Sequence, residues 1–104
     1  MNVLSLTFHA VEHILPEWEK YVDDTLVLMA ENLLDADRYI LSEVQTDMVN
    51  EGKNYNLLLM FENEELINQF LESELVNIEE RLETKFGSNV MVFKTLLNPK
   101  KFRL

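Results

Sequence analysis

The order in which two hydrophobic periods alternate constrains this chain more than any other feature of it. Leu4, Leu6, Phe8 and Ala10 fall on one face of an extended segment, and Val3, Ser5, Thr7 and His9 on the other. That period of two predicts a half-buried strand from Val3 to Ala10. The period then lengthens. Trp18, Val22, Leu26, Met29 and Leu33 recur at steps of three and four, which predicts an amphipathic helix from Pro16 to about Leu34. Pro16 suits a first turn, where its missing N–H has no intrahelical partner, and Glu17 and Glu19 complement the helix dipole. Val27, Leu28 and Ala30 add a second apolar stripe to the later turns, which implies a second packing partner for them.

A second strand-helix-strand unit follows, joined to the first through a hairpin. Asp35-Ala36-Asp37 breaks the helix, and Arg38 to Met48 reads as a weakly alternating strand, polar enough for an edge position. Asn50-Glu51-Gly52-Lys53 is a turn, with Gly52 free to take positive φ. Asn54 to Phe61 is a third strand, and its run Leu57-Leu58-Leu59-Met60-Phe61 is apolar on both faces, as a central strand requires. Asn63 suits an N-cap before Glu64 and Glu65. Leu66, Ile67, Phe70, Leu71, Leu75, Ile78, Leu82 and Phe86 then trace one helical stripe, with a bend expected at Ser73-Glu74 and Gly87 as C-cap. Val90 to Leu97 is the last strand, ended by Asn98-Pro99.

Strand-helix-strand, a hairpin, then helix-strand is the split β-α-β arrangement. The fold class expected is therefore α+β and ferredoxin-like: β-α-β-β-α-β, a four-stranded antiparallel sheet with both helices on one face. Residues 1–98 form one such domain, and residues 99–104 a basic tail. The sheet's other face is left bare. Either register of the third strand puts large apolar groups there: Tyr55, Leu57, Leu59 and Phe61, or Leu58 and Met60. The last strand offers Val90, Val92, Lys94 and Leu96, or Met91, Phe93, Thr95 and Leu97. A face of that character calls for a cover. Two copies packed sheet to sheet across a two-fold axis would supply one, so a homodimer through the open face is expected.

Composition narrows the functional classes. The chain has 104 residues, no cysteine, and a formal charge of −10. Disulfides, thiolate metal sites and a cysteine nucleophile are excluded. The acidic balance argues against nucleic acid as a partner. No run approaches the ~20 apolar residues of a membrane span, and Met1 to Ser5 does not read as a signal peptide. A cytoplasmic location is expected. Charge is unevenly spread: Lys94, Lys100, Lys101 and Arg103 lie in the last eleven residues with no acid among them, so residues 1–93 carry −14. The tail is a solvated segment that softens self-repulsion, or one that docks on an acidic surface such as that of a second subunit.

Chemistry-bearing candidates are few. Ser5, Thr7 and His9 share the face that would line the space between two sheets. Tyr39 and Tyr55 could each bring a hydroxyl to that space. His9 is the one candidate for a general base, a role that needs an orienting partner. His9 and His13, with Glu12 between them, fall short of a metal site, which needs a third ligand and a supporting shell. No metal and no cofactor is expected. Trp18, Tyr21 and Phe70 read as core rather than as a stacking platform. The runs Glu62 to Glu65 and Glu79-Glu80 read as solvated helix faces. Phosphate loops, dinucleotide fingerprints, nucleophile elbows and zinc motifs are absent from the sequence.

Several segments resemble a bacterial family of about 100 residues, common in Bacteroidetes and known only as a domain of unknown function. They are Val3-Leu4-Ser5-Leu6-Thr7-Phe8, Glu17-Trp18 entering the first helix, Tyr55 opening the third strand, Arg81 to Gly87, and Phe93 to Leu97. The family is grouped with the dimeric α+β barrel, ferredoxin-like proteins. This chain departs from it at Thr25-Leu26-Val27-Leu28, where a His-Ile-Pro-like element is usual, and at Leu82, where a histidine is frequent. The resemblance implies a fold and a dimer and no activity. The leading functional reading is a non-catalytic homodimer that binds a small apolar or aromatic ligand between its sheets. The alternatives are a cofactor-independent monooxygenase-like or isomerase-like enzyme of the dimeric α+β barrel group, and a protein–protein interaction module.

Overall fold

A computed structural model describes residues 1–45 and 51–103. Strands β1 (Asn2–Ala10), β2 (Arg38–Glu43), β3 (Lys53–Phe61) and β4 (Val90–Leu97) form one sheet in the order β2-β3-β1-β4. All three pairings are antiparallel. The central places go to β1 and β3, and the more polar β2 takes an edge as expected. β2 ends at Glu43, short of the Met48 expected for it. The later part of that segment, residues 46–50, lies outside the described residues.

Both crossovers lie on one side. The first runs through a short 3-10 turn (Glu12–Ile14), then α1 (Leu15–Tyr21), a π-helical turn (Val22–Leu26) and α2 (Val27–Glu31). Pro16 stands in the first turn of α1. The π turn has a cause in the sequence. The buried stripe Trp18, Val22, Leu26, Ala30 repeats every four residues, and at 3.6 residues per turn each such step overshoots by about 40°. One wider turn absorbs the drift and keeps all four side chains on the sheet. The helix stops at Glu31, three residues before the expected end, and leaves Leu28 and Leu34 exposed.

The second crossover breaks as its sequence predicts. α3 (Glu64–Glu72) is capped by Asn63, whose side chain accepts from the Leu66 N–H, and α4 (Glu74–Phe86) follows after Ser73. At the break the Ser73 hydroxyl donates to the Gln69 carbonyl at 2.6 Å. The Glu74 carboxylate reaches across to accept from the Leu34 and Asp35 N–H groups at 3.0 and 3.1 Å. One side chain thus ties the loop before β2 to the start of α4. No helix of the described residues is long and apolar enough to cross a membrane.

The core lies between the helices and one face of the sheet. Leu4, Leu6, Phe8 and Ala10 of β1 and Tyr55, Leu57, Leu59 and Phe61 of β3 all point into it. Trp18 is fully buried at its centre, with ring centroids 5.6–6.0 Å from Phe8, Tyr21, Tyr55 and Phe86. The contacts with Tyr55 and Phe86 are edge-to-face and that with Tyr21 is stacked, and such pairs add to the area they bury. The Trp18 indole N–H has no oxygen or nitrogen acceptor.

Gly52 fixes the approach of β3 to β1. Its φ is +79°, and a Cβ there would stand 2.0 Å from the Ala10 carbonyl oxygen. Its N–H donates to Glu12 Oε2 at 2.9 Å. A Gly52→Ala change meets both an unfavourable φ and backbone that cannot yield, and is expected to lower stability by about 2–4 kcal/mol in urea unfolding. Ser73→Ala, which loses only one exposed hydrogen bond, is expected to cost about 1 kcal/mol or less.

Candidate functional site

The strand register decides which residues share the uncovered face. Ser5 pairs with Leu58 and Thr95, Thr7 with Asn56 and Phe93, His9 with Asn54 and Met91, and Val3 with Met60 and Leu97. On β2, Arg38, Ile40 and Ser42 lie opposite Met60, Leu58 and Asn56. Directly paired residues in an antiparallel sheet project to the same side. The face is therefore a grid of apolar and uncharged polar groups: aliphatic and sulfur side chains at one end, amides and hydroxyls toward the other, and Phe93 on the β4 flank.

Charge is almost absent from it. The chain carries 19 acids, yet no Asp or Glu occupies any of these positions, and Arg38 is the one cation. Four of its large apolar side chains are nonetheless open to water: Ile40 (52%), Phe93 (53%), Met91 (46%) and Leu97 (44%). Depletion of charge with retention of exposed aromatic, methionine and aliphatic groups is the composition of an interface core.

On the two central strands the polar groups of this face form two hydrogen-bonded sets. His9 Nδ1 donates to Asn54 Oδ1 at 2.6 Å. Asn56 Nδ2 donates to Ser5 Oγ at 2.7 Å, and to Thr7 Oγ1 and the Leu6 carbonyl at 3.3 Å. Two consequences follow from these directions. With Nδ1 carrying the proton, the neutral imidazole keeps its lone pair on Nε2. Because the two hydroxyl oxygens accept from the Asn56 amide, their own hydrogens remain available to a further acceptor. When the imidazole is neutral, these groups offer two hydroxyl donors and one imidazole acceptor, spaced by alternate positions of one strand. Such a set can orient an uncharged molecule bearing oxygen atoms.

Ser5, Thr7 and His9 are brought together here. Tyr39 and Tyr55 are not. Tyr55 pairs with Phe8 and Tyr39 with Leu59, which puts both on the helix side of the sheet. Tyr55 is buried against Trp18. Their assignment to the inter-sheet space fails because a tyrosine on a strand faces whichever side the register dictates, and both registers of β3 were open in the sequence. His13 lies in the 3-10 turn and is exposed, and Glu12 is engaged by the Gly52 N–H. Among the described residues no three His, Cys, Asp or Glu side chains come together in a way that could hold a metal ion. The residues that sequence reasoning missed are Asn54 and Asn56. A signal for them existed: asparagine is depleted in strands, and two at a spacing of two in a central strand mark a position that needs an amide.

On the helix side, Lys53 bridges Glu19 and Glu43 at 3.1 and 3.4 Å, and these bonds raise its pKa. The clefts of the helix layer, the widest between α4 and β4, contain none of the candidate residues.

The sequence matches the family described as "Domain of unknown function (DUF4286)" over residues 1–100. The chain belongs to that family. No curated protein matches the sequence. Among solved structures, a putative antibiotic biosynthesis monooxygenase from Deinococcus radiodurans is similar in fold, with a TM-score of 0.68 and 11% identity over 100% of this chain and 97% of the other. HapK from Hahella chejuensis gives 0.67 and 7% identity over 100% and 97%. A dimeric ferredoxin-like protein from an uncultured marine organism gives 0.60 and 13% identity over 99% and 100%. At these identities the likeness establishes the ferredoxin-like fold and nothing of activity.

The two buried tyrosines give this DUF4286 domain a testable alkaline signature. Burial raises the phenol of Tyr55, with Glu19 and Glu43 adding to it, and burial raises Tyr21 against an opposing Arg81. A phenol whose folded pKa lies above its unfolded one leaves stability intact below about pH 10 and loses it as pH rises through the folded value. Stability is expected to fall above pH 10 as these groups ionise, and the fall to be shallower in Tyr55→Phe. Urea unfolding between pH 8 and 11.5 measures both slopes.

Proposed function

We propose that this DUF4286 domain is a homodimer closed through its open sheet faces, and that it binds a small, uncharged apolar or aromatic molecule between them without transforming it. The observation that carries this reading is the acid-free face. An exposed sheet surface on a chain of −10 charge has every opportunity to carry acids, and this one carries none. Covering it with a second copy buries Ile40, Leu58, Met91, Phe93 and Leu97. It desolvates no carboxylate, the costly item in closing an interface.

The polar centre supports the ligand half of the proposal. Two sheets pressed into dry contact would favour aliphatic side chains throughout. A cluster of Ser5, Thr7, His9, Asn54 and Asn56 suits instead a space in which a bound molecule or water meets the free hydroxyl hydrogens and the His9 Nε2 lone pair. The dimeric character that the name of the marine ferredoxin-like protein states is consistent with the same assembly. Native mass spectrometry of freshly purified protein tests both halves. The expected spectrum has twice the chain mass plus a displaceable small molecule. Leu58→Glu, which puts a carboxylate into the middle of the face, is expected to leave a folded monomer without it. A monomeric wild-type chain at micromolar concentration would overturn the proposal.

One observation favours a second reading, an enzyme of the cofactor-independent monooxygenase or isomerase kind. His9 is held by Asn54 at 2.6 Å through Nδ1, and a neutral ring so held keeps Nε2 as its acceptor, as a general base needs. If that reading holds, His9→Ala abolishes turnover of the bound molecule while the dimer persists. Turnover equal to wild type would exclude His9 as the base.

A further inference from the structure

The basic tail and the edge of β4 have complementary chemistry that the open face does not use. Among the described residues β4 pairs only with β1, so its outer edge presents backbone groups that no strand of them pairs. Beside that edge runs a cleft of about 780 Å3 between β4 and α4. Leu82, Val90 and Val92 line its floor, and Glu79, Glu80 and Glu83 its rim. Among the described residues none of these three carboxylates is in an ion pair. Downstream of β4 stand Lys100, Lys101, Phe102 and Arg103, all exposed, with Phe102 at 59%. One aromatic ring flanked by three cations is the counterpart of an apolar trough flanked by three acids.

The tail cannot fill its own cleft. The lining of the cleft along β4 runs from Val90 to Phe93, while the tail departs from Leu97 at the strand's other end. A chain that reverses at Asn98-Pro99 spends two residues on the turn. At about 3.3 Å per residue the next three carry Phe102 back only ~10 Å, abreast of Thr95. A second copy has no such limit. We propose that the C-terminal segment Lys100–Arg103 of one copy docks in the α4–β4 cleft of another, with Phe102 on the apolar floor and the cations on the glutamate rim. Extended against the β4 edge, it would add a short strand there.

A charge swap tests the docking. K100E/K101E/R103E reverses the tail and E79K/E80K/E83K reverses the rim, and all six positions are exposed. Each variant alone is expected to raise the self-dissociation constant roughly tenfold or more in 50 mM salt, by analytical ultracentrifugation, since several exposed pairs are lost together. An equimolar mixture of the two restores opposite charge at both tail–cleft contacts, and is expected to associate as tightly as wild type. Restoration also shows that both variants fold. Two results overturn the inference: a mixture no tighter than the separate variants, or separate variants as tight as wild type. Leu58→Glu separates this contact from the sheet-face dimer. If only the sheet-face reading fails, Leu58→Glu leaves a salt-sensitive association intact; if only the tail contact fails, Leu58→Glu gives a monomer and the charge variants do not.

Discussion

β1 runs between β3 and β4 with a side-chain period of two, and that arrangement divides the molecule into two chemically distinct sides. Leu4, Leu6, Phe8 and Ala10 meet the helices and are completely buried. Ser5, Thr7 and His9, one residue out of phase, meet no layer of their own chain. A slip of one residue in the pairing would exchange the two sets and destroy the core. The Trp18 cluster makes the register costly to change, because Phe8 of β1 and Tyr55 of β3 are both committed to it. The position of the polar network is therefore a by-product of core packing, held as firmly as the core itself.

Charge is sorted along the same division. Carboxylates crowd the outer surfaces of the helices, where water screens them, and the ion pairs on the helix side of the sheet are exposed and individually weak. The open face holds hydroxyls, amides, one imidazole, aliphatic, methionine and aromatic groups, and the single cation Arg38. Segregation of this kind matters more than the net charge. A chain of −10 would repel a second copy if its acids were spread evenly. With the acids kept to one side, two acid-free faces can approach with the carboxylates far apart. The basic C-terminal segment is the other departure from even spreading.

Local devices hold the division in place. The π turn re-phases a stripe that repeats every four residues, so that Leu26 and Ala30 stay on the sheet. Gly52 lets β3 begin in contact with Ala10 and beside the His9 ring. Glu74 ties the loop before β2 to α4, and Asp37 donates its N–H to the Met60 carbonyl at 2.7 Å to start the β2 pairing. Each device is small. Together they set where the four strands lie relative to one another, and so which residues meet on the open face.

By itself the sequence determined the element order, the break at Ser73, the Asn63 cap, the turn glycine and the separation of Ser5, Thr7 and His9 from the core, because each depends on residues within a few positions of one another. The central place of β3 was also legible, from a run apolar on both faces. What only the tertiary structure decided was the choice between two registers for β3 and β4. With it came the placement of Asn54 and Asn56 beside His9, Ser5 and Thr7, and of Tyr39 and Tyr55 on the opposite side. An alternating strand whose two faces are similarly apolar does not say which face is inward; its neighbours do, and those neighbours are some fifty residues away along the chain. The acid-free character of the open face has the same origin. It is invisible in a composition with 19 acids and appears only when four separate strands are laid side by side.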